Sequence, residues 1–203
     1  MKINTLIAFV ILIGCNKVDP NRAIIPQAKP ETSDGNGTST EKTVINLNRE
    51  IISVLKNGDH KKLSSSIHPE KGIRFSMYSF ISAKDKTFSK LEFEKYIDSD
   101  TKFTFGEKDG SGAVFTVSLN DYLEDWIFKK DFNKAKINYQ SFEGKGNTLN
   151  NIKEKYPDAI TVENYLAGTV EYSYMDWNSL ILIFEKSGDQ YFLVGIANNQ
   201  WTV

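Results

Sequence analysis

Residues 179–197, with the sequence SLILIFEKSGDQYFLVGIA, decide the fold. The unbroken apolar run 180–184 places large side chains on both faces of a strand, because successive side chains of a strand alternate between faces. Such a strand belongs inside a sheet, where both faces are covered. Residues 187–189 (Ser-Gly-Asp) predict a hairpin turn into a second strand over 190–197.

Helical spacing marks the opening of the domain. Val44, Leu47, Ile51 and Leu55 predict an amphipathic helix, which Asn57-Gly58 ends. Shorter elements follow, predicted as helices at 59–67, 89–97, 118–127 and 150–156 and strands at 72–78, 102–108, 113–117, 137–142 and 159–167. The order predicts an α+β fold, with N-terminal helices packed on a curved, mostly antiparallel sheet.

Composition excludes several classes of protein. The formal net charge is −1 and the pI is about 6.2, so no basic excess points to nucleic acid. Of the 3 Trp, 9 Tyr and 13 Phe, all but Phe9 lie in 43–203, which predicts a core rich in rings. Cys15 is the one cysteine, so neither an intrachain disulfide nor a cysteine zinc site can form.

The first fifteen residues, MKINTLIAFVILIGC, have the pattern of an export signal. Lys2 gives a positive start, and the mostly apolar stretch 3–13 is too short to cross a bilayer as a helix. The last four residues, 12–15 (Leu-Ile-Gly-Cys), resemble the bacterial lipobox. That resemblance implies a signal peptide at 1–14, cleavage between Gly14 and Cys15, and acylation of Cys15 by fatty acids such as palmitate.

The segment 15–42 is predicted to be the lipidated cysteine and a flexible tether, followed by one globular domain at 43–203. Pro20, Pro26 and Pro30 stiffen its first half, and Ser, Thr and Gly dominate the second. Asn16, where an Asp would signal inner-membrane retention in some bacteria, favours the outer membrane if the envelope has two. The expected location is therefore exported and lipid-anchored to a bacterial membrane.

Several short segments resemble a family of uncharacterised exported bacterial domains, often lipoproteins. They are 68–76 (HPEKGIRFS), 144–148 (GKGNT), 156–158 (YPD), 175–180 (MDWNSL), and the pair 194–196 and 201–202. The order of helices and strands is similar to the nuclear transport factor two-like fold, a cystatin-like cone. The resemblance implies a cone-like domain and an envelope location, and it supplies no activity, cofactor or catalytic residue.

Two places are candidates for a pocket. In cone folds the opening helices lie near the pocket mouth, so His68 with Glu70 or Arg74 can act on a ligand there. The alternative for His68 is a structural hydrogen bond to the chain entering the strand. Asp176 and Trp177 can line a pocket rim, or Trp177 can be core and Asp176 can cap a turn.

Other chemistry finds no support. His60 lies in a polar run and is expected to be solvated. Two histidines without metal spacing predict no metal site, and no Walker or Gly-x-Ser-x-Gly motif occurs. We therefore expect no cofactor.

These observations leave three functional hypotheses. The first is a noncatalytic binding module of the cell envelope, held to the membrane by lipid on Cys15, whose partner is a small ligand or an envelope protein. The second is a small acid–base enzyme with its pocket in the cone. The third is a surface-exposed antigen or adhesin. The pattern leaves catalytic residues unknown, and fold alone does not choose among the three.

Overall fold

The protein is described here by a computed structural model of residues 37–144 and 149–201. Its α-helices are α1 (Ser39–Lys56), α2 (Lys90–Tyr96), α3 (Leu119–Tyr122) and α4 (Ile152–Lys155). Its strands are β1 (Ile73–Ser76), β2 (Lys86–Phe88), β3 (Lys102–Glu107), β4 (Val114–Ser118), β5 (Lys136–Tyr139), β6 (Ile160–Leu166), β7 (Asn178–Ser187) and β8 (Gln190–Gln200). The predicted signal peptide, Cys15 and the tether up to residue 36 lie outside the described residues.

The α+β prediction is confirmed. Six strands form one curved sheet in the order β2-β1-β8-β7-β6-β5, and β3 and β4 form a separate hairpin. All neighbours in the large sheet are antiparallel except β1 and β8. Short 3₁₀ turns occur at His60–Ser66, Phe132–Lys134 and Val170–Tyr172, and a π-helical turn at Leu123–Ile127 continues α3.

Helix α1 begins at a capped end. The Thr38 hydroxyl oxygen accepts a hydrogen bond from the Glu41 amide at 3.2 Å, which satisfies one of the free N–H groups of the first turn. Residues 39–42, expected as the end of the tether, are therefore helical. Val44, Ile51 and Leu55 are buried against the sheet, as their spacing predicts, and Gly58 follows the helix with a φ of 66°.

The β7–β8 hairpin is the centre of the sheet, as predicted. Leu180 and Leu182 pack into the main core together with α1, whereas Ile181 and Ile183 pack into a second cluster on the opposite face. That second cluster includes Ile152 from α4, so the short C-terminal helix covers the face that α1 does not. Burial on both faces explains why residues 180–184 are all apolar.

Strand β1 joins the sheet in a way the pattern did not predict. It runs parallel to β8, with Arg74 opposite Gly195, and antiparallel to the three-residue β2, with Arg74 opposite Thr87. The chain between β1 and β2, residues 77–85, therefore has to turn back at the end of the sheet. That turn forms one side of a cleft.

The β3–β4 hairpin, which the sequence predicts, faces the same turn. Its register shifts between Thr104 and Gly106, and a Cβ on Gly106 would come within 2.9 Å of the Met77 sulfur. A larger residue would force the Met77 side chain to move, so Gly106 allows the hairpin to approach residues 77–85 closely. Among the described residues, no helix combines the length and apolarity needed to cross a bilayer.

Candidate functional site

His68 lies in a tight turn before β1. Its side chain is 2% exposed, and its Nδ1 accepts hydrogen bonds from the amides of Glu70 at 3.2 Å and Lys71 at 3.1 Å. The ring meets Phe192 edge-on, with centroids 5.9 Å apart. This geometry matches the structural alternative, in which His68 holds the chain that enters the strand.

Arg74 has a different set of partners. Its Nε donates to the Tyr156 hydroxyl at 3.1 Å and its Nη1 to the Ser82 carbonyl at 2.9 Å. These contacts lie on the face of β1 opposite Phe75, which points into the main core. Glu70 is exposed. The hydrogen bonds of His68 and Arg74 therefore serve two separate structural roles.

Asp176 and Trp177 stabilise the loop between β6 and β7. The Asp176 carboxylate accepts from the Thr169 amide at 2.6 Å and the Thr169 hydroxyl at 3.0 Å, and these bonds hold the pKa of Asp176 below its usual range. Trp177 is buried beside Tyr165. Their contacts match the alternative of a turn cap and a core ring.

A different group of residues lines a cleft, which we call the Asp85 cleft. It has a volume of about 330 Å³ and lies between residues 76–85 and the bulged part of β3. Its walls carry polar and aromatic side chains from both segments, namely Ser76, Tyr78, Phe80, Asp85, Phe105, Glu107 and Asp109. The volume is at the lower end of the range for small-molecule sites.

The turn that carries Asp85 is fixed by side-chain hydrogen bonds. The Ser76 hydroxyl, buried at the end of β1, lies 2.8 Å from the Tyr78 carbonyl and 3.3 Å from the Phe80 carbonyl. The Trp126 indole N–H donates to the Met77 carbonyl at 3.0 Å. Because these bonds hold the backbone, the wall of the cleft is formed before any ligand arrives.

Asp85 is the half-buried carboxylate of this cleft. Its Oδ2 accepts from the Ser82 amide at 2.8 Å. Burial raises the pKa of Asp85, and the Ser82 amide, the Ser76 hydroxyl and the Arg74 charge offset that effect only in part. No described Lys, Arg or His forms an ion pair with Asp85, Glu107 or Asp109.

Tyr78 links the two walls. Its hydroxyl oxygen accepts from the Asp109 amide at 2.7 Å, so the hydroxyl hydrogen remains available to a further acceptor. Burial raises the pKa of Tyr78, so the hydroxyl stays protonated near neutral pH. The ring packs edge-on against Trp126, with centroids 5.7 Å apart.

Tyr122 lies behind Phe105, one of the rings of the cleft wall, and does not itself line the cleft. Its ring stacks on Phe105 with centroids 3.6 Å apart and planes 7° apart, and the side chain is 0% exposed. The hydroxyl has no hydrogen-bond partner among the described residues. Burial first, and then the charges of Asp85 and Tyr78, raise the pKa of Tyr122. Both of those groups line the cleft, so the Tyr122 hydroxyl lies within their electrostatic reach.

In residues 37–144 and 149–201, no three His, Cys, Asp or Glu side chains are arranged to hold a metal ion.

Sequence reasoning missed this site and was wrong about His60. Asp85 stands between Lys84 and Lys86 and has the appearance of a solvated charge; the one local signal is Ser82 three residues earlier, a turn-forming spacing. His60 was expected to be solvated, but it is 3% exposed, with its Nδ1 2.8 Å from Asn120 Oδ1. The partner is sixty residues away, which local polarity cannot reveal.

Comparison with known proteins identifies no relative. A scan against protein-family models, a search of curated proteins and a search of solved structures each returned no match.

Proposed function

We propose that this chain is an exported bacterial lipoprotein, anchored through lipid on Cys15, whose globular domain binds a small ligand in the Asp85 cleft. The observation that carries the binding role is the half-buried Asp85 carboxylate, which lines a preformed cleft of about 330 Å³. It accepts a hydrogen bond from the Ser82 amide and has no ion-pair partner in the described residues. Withdrawing a carboxylate from water without a counter-charge costs stability, so such a group is typical of a site that a ligand completes.

The pKa of the tyrosine hydroxyl at the cleft favours a binding role over a catalytic role. A general acid or base works best when its pKa lies near the operating pH. Burial raises the pKa of Tyr78, which lines the cleft, above the ordinary tyrosine value of 10.0, away from neutrality. The Tyr78 hydroxyl is therefore suited to holding a ligand by a hydrogen bond, and poorly suited to exchanging protons with it.

The anchoring role depends on the sequence pattern at residues 12–15. Two or more acyl chains on a cysteine give stable attachment, whereas one chain gives only reversible binding. The linker between Cys15 and α1 contains three prolines and a Ser-, Thr- and Gly-rich half, which suits a domain that works at a distance from its anchor. We expect the outer membrane if the envelope has two membranes.

Anchoring is tested with the Cys15→Ser variant in a bacterial host. Wild-type chain is expected to incorporate labelled palmitate and to lose residues 1–14. The variant should incorporate no label and remain an unprocessed precursor. Normal processing of Cys15→Ser would contradict the lipoprotein proposal.

Ligand binding is tested by native mass spectrometry on the acylated wild-type chain, purified in detergent from a bacterial host. We expect a native mass greater than the denatured mass, because a bound ligand leaves on denaturation. Adding Asp85→Ala should remove the extra mass. Glu94→Ala is the matched control, because Glu94 is an exposed carboxylate on α2 outside the cleft. An extra mass that survives Asp85→Ala would place the ligand elsewhere.

A further inference from the structure

A second cavity lies next to the Asp85 cleft, and its lining is basic. It has a volume of about 320 Å³ and is bounded by β1, by the turn after β1 and by the end of α4. We call it the Arg74 pocket, and its lining residues are Arg74, Ile81, Ser82, Ala83, Lys155 and Tyr156. Two of the six carry a positive charge and none carries a negative charge, so the pocket favours an anion.

Arg74 supplies most of the free donors of this pocket. A guanidinium group has five N–H groups. Two of them make described hydrogen bonds, from Nε to the Tyr156 hydroxyl at 3.1 Å and from Nη1 to the Ser82 carbonyl at 2.9 Å, so three have no described acceptor. No described carboxylate forms an ion pair with Arg74. A planar guanidinium group that is held on two sides is well suited to bind the oxygens of a carboxylate or a phosphate.

Tyr156 and Lys155 add two further donors. The Tyr156 hydroxyl oxygen accepts from Arg74, so its hydrogen is available to another acceptor. Burial raises the pKa of Tyr156 and outweighs the opposing charge of Arg74, so the hydroxyl stays protonated near neutral pH. The Lys155 ammonium pairs with Glu154 at 3.1 Å, but both side chains are exposed, and exposed pairs of this kind are weak. Lys155 is therefore able to turn toward a ligand.

Asn151 holds two walls of the Arg74 pocket together. Its Oδ1 accepts from the Ile81 amide at 2.6 Å, and its Nδ2 donates to the Ile81 carbonyl at 3.0 Å. Because Asn151 immediately precedes α4, these bonds join the turn after β1 to the start of that helix. The pocket is therefore formed before any ligand arrives, which lowers the cost of binding.

Asp85 and Glu185 lie within electrostatic reach of the pocket, but neither lines it. The charge of Arg74 acts on Asp85, which lines the neighbouring cleft and forms no ion pair with Arg74. Glu185 acts on Tyr156, and its carboxylate is paired with Lys71. The free donors of the pocket are therefore not occupied by either acid.

We infer that the Arg74 pocket binds a small carboxylate or phosphate anion. The oxygens of the anion accept hydrogen bonds from the free N–H groups of Arg74, from the Tyr156 hydroxyl and from the Lys155 ammonium. The two apolar lining residues, Ile81 and Ala83, cover a short alkyl part of the anion. This site is separate from the neighbouring cleft, so the inference goes beyond the proposed function and does not depend on a ligand there.

The test is isothermal titration calorimetry on the acylated wild-type chain, purified in detergent, with empty micelles as the blank. The probes are butyrate, inorganic phosphate, neutral 1-butanol and n-butylammonium, each in Tris buffer at constant ionic strength. We expect saturable binding of the two anions, and affinities at least about tenfold weaker for butanol and butylammonium. Binding of only one of the two anions would support the inference and identify the acid group that the pocket prefers.

Five variants assign the effect to the inferred contacts. Arg74→Gln is expected to weaken anion binding by about tenfold or more, and Lys155→Gln and Tyr156→Phe by about threefold each. Lys42→Gln is the matched control, because Lys42 is an exposed lysine on α1 outside the pocket. Asp85→Asn should bind the anions at least as tightly as wild type, because it removes a negative charge near Arg74.

The outcomes keep this site distinct from the Asp85 cleft. Butanol or butylammonium binding as tightly as the anions would overturn the inference, and so would heats that never saturate. Unchanged affinity in both Lys155→Gln and Tyr156→Phe would place the anion elsewhere, which keeps the test decisive if Arg74→Gln unfolds the protein. Loss of anion binding in Asp85→Asn would place the anion in the Asp85 cleft, which would overturn the inference and support ligand binding in that cleft.

Discussion

Two carboxylates in this domain, Glu163 and Asp85, show how the same chemical group can serve structure or binding. Glu163, on β6, is 0% exposed and is surrounded by donors. Its oxygens accept from four groups: Asn138 Nδ2 at 2.9 Å, the Glu143 amide at 2.6 Å, the Gly144 amide at 3.1 Å and the Ser179 hydroxyl at 2.7 Å. A carboxylate has about four acceptor positions, so Glu163 has no capacity for a ligand.

Asp85 is the opposite case. Its carboxylate accepts a backbone hydrogen bond from the Ser82 amide at 2.8 Å, and burial raises its pKa. The difference lies in the donors that converge on each group, since both carboxylates are removed from bulk water to some degree. A buried charge that is fully hydrogen-bonded holds the fold together, and one with spare acceptor positions is a candidate for binding.

The largest expected difference between the two sites is in stability. Glu163→Gln should lower the free energy of unfolding by about 3 kcal/mol, because its amide N–H₂ group would face the Glu143 amide in one orientation and the Gly144 amide in the other. Asp85→Asn should change it by less than about 1 kcal/mol near neutral pH, because Asn keeps an acceptor for Ser82. Urea unfolding of both variants measures the difference, and equal losses would break the comparison.

The second prediction concerns pH. Burial raises the folded-state pKa of Asp85 above the ordinary value of 3.8, so the folded chain holds this proton more tightly than the unfolded chain. Wild-type stability relative to Asp85→Asn should therefore fall as pH rises from 3.8 through the folded pKa, and then level off. Urea midpoints of both proteins across this range test the sign. A relative gain in wild-type stability with rising pH would contradict it.

The smallest expected effect is that of Tyr122→Phe. The hydroxyl has no described partner, so its removal should change the free energy of unfolding by less than about 1 kcal/mol, with a small gain expected. The stacked ring on Phe105 is kept. Thermal and urea unfolding measure the change. A loss above about 2 kcal/mol would mean that the hydroxyl is satisfied by ordered water, and that Tyr122 resembles Glu163 more than Asp85.

Local sequence signals predicted the elements that depend on local chemistry. The Ser89 and Glu92 capping box is present: the Glu92 amide donates to the Ser89 hydroxyl at 3.2 Å, and the Ser89 amide donates to the Glu92 carboxylate at 2.8 Å. The apolar run 180–184 correctly predicted a central strand. Strand β2 has only three residues, too few for a pattern, and its neighbour β1 is defined by a partner at the far end of the sequence.

The candidate site could not be predicted from local sequence signals, because it also depends on distant parts of the chain. Whether Asp85 is solvated depends on Phe105 and the rest of the β3–β4 hairpin, which come from another part of the chain. Lys84 and Lys86 give it a local context identical to that of a surface charge. His68 and Asp176 had distinctive neighbours in the sequence, and both side chains make their hydrogen bonds within a turn.

The position of β7 and β8 in the sequence has a consequence for how the chain folds. These central strands follow every helix and strand they pack against, so α1 and β1 are made before the surface that buries Ile51 and Phe75 exists. The pairing of Arg74 with Gly195 requires closure of a very long loop, which slows folding. A growing chain without residues 178–200 lacks the two central strands of its sheet, so the complete sheet can form only when nearly the whole polypeptide has been made.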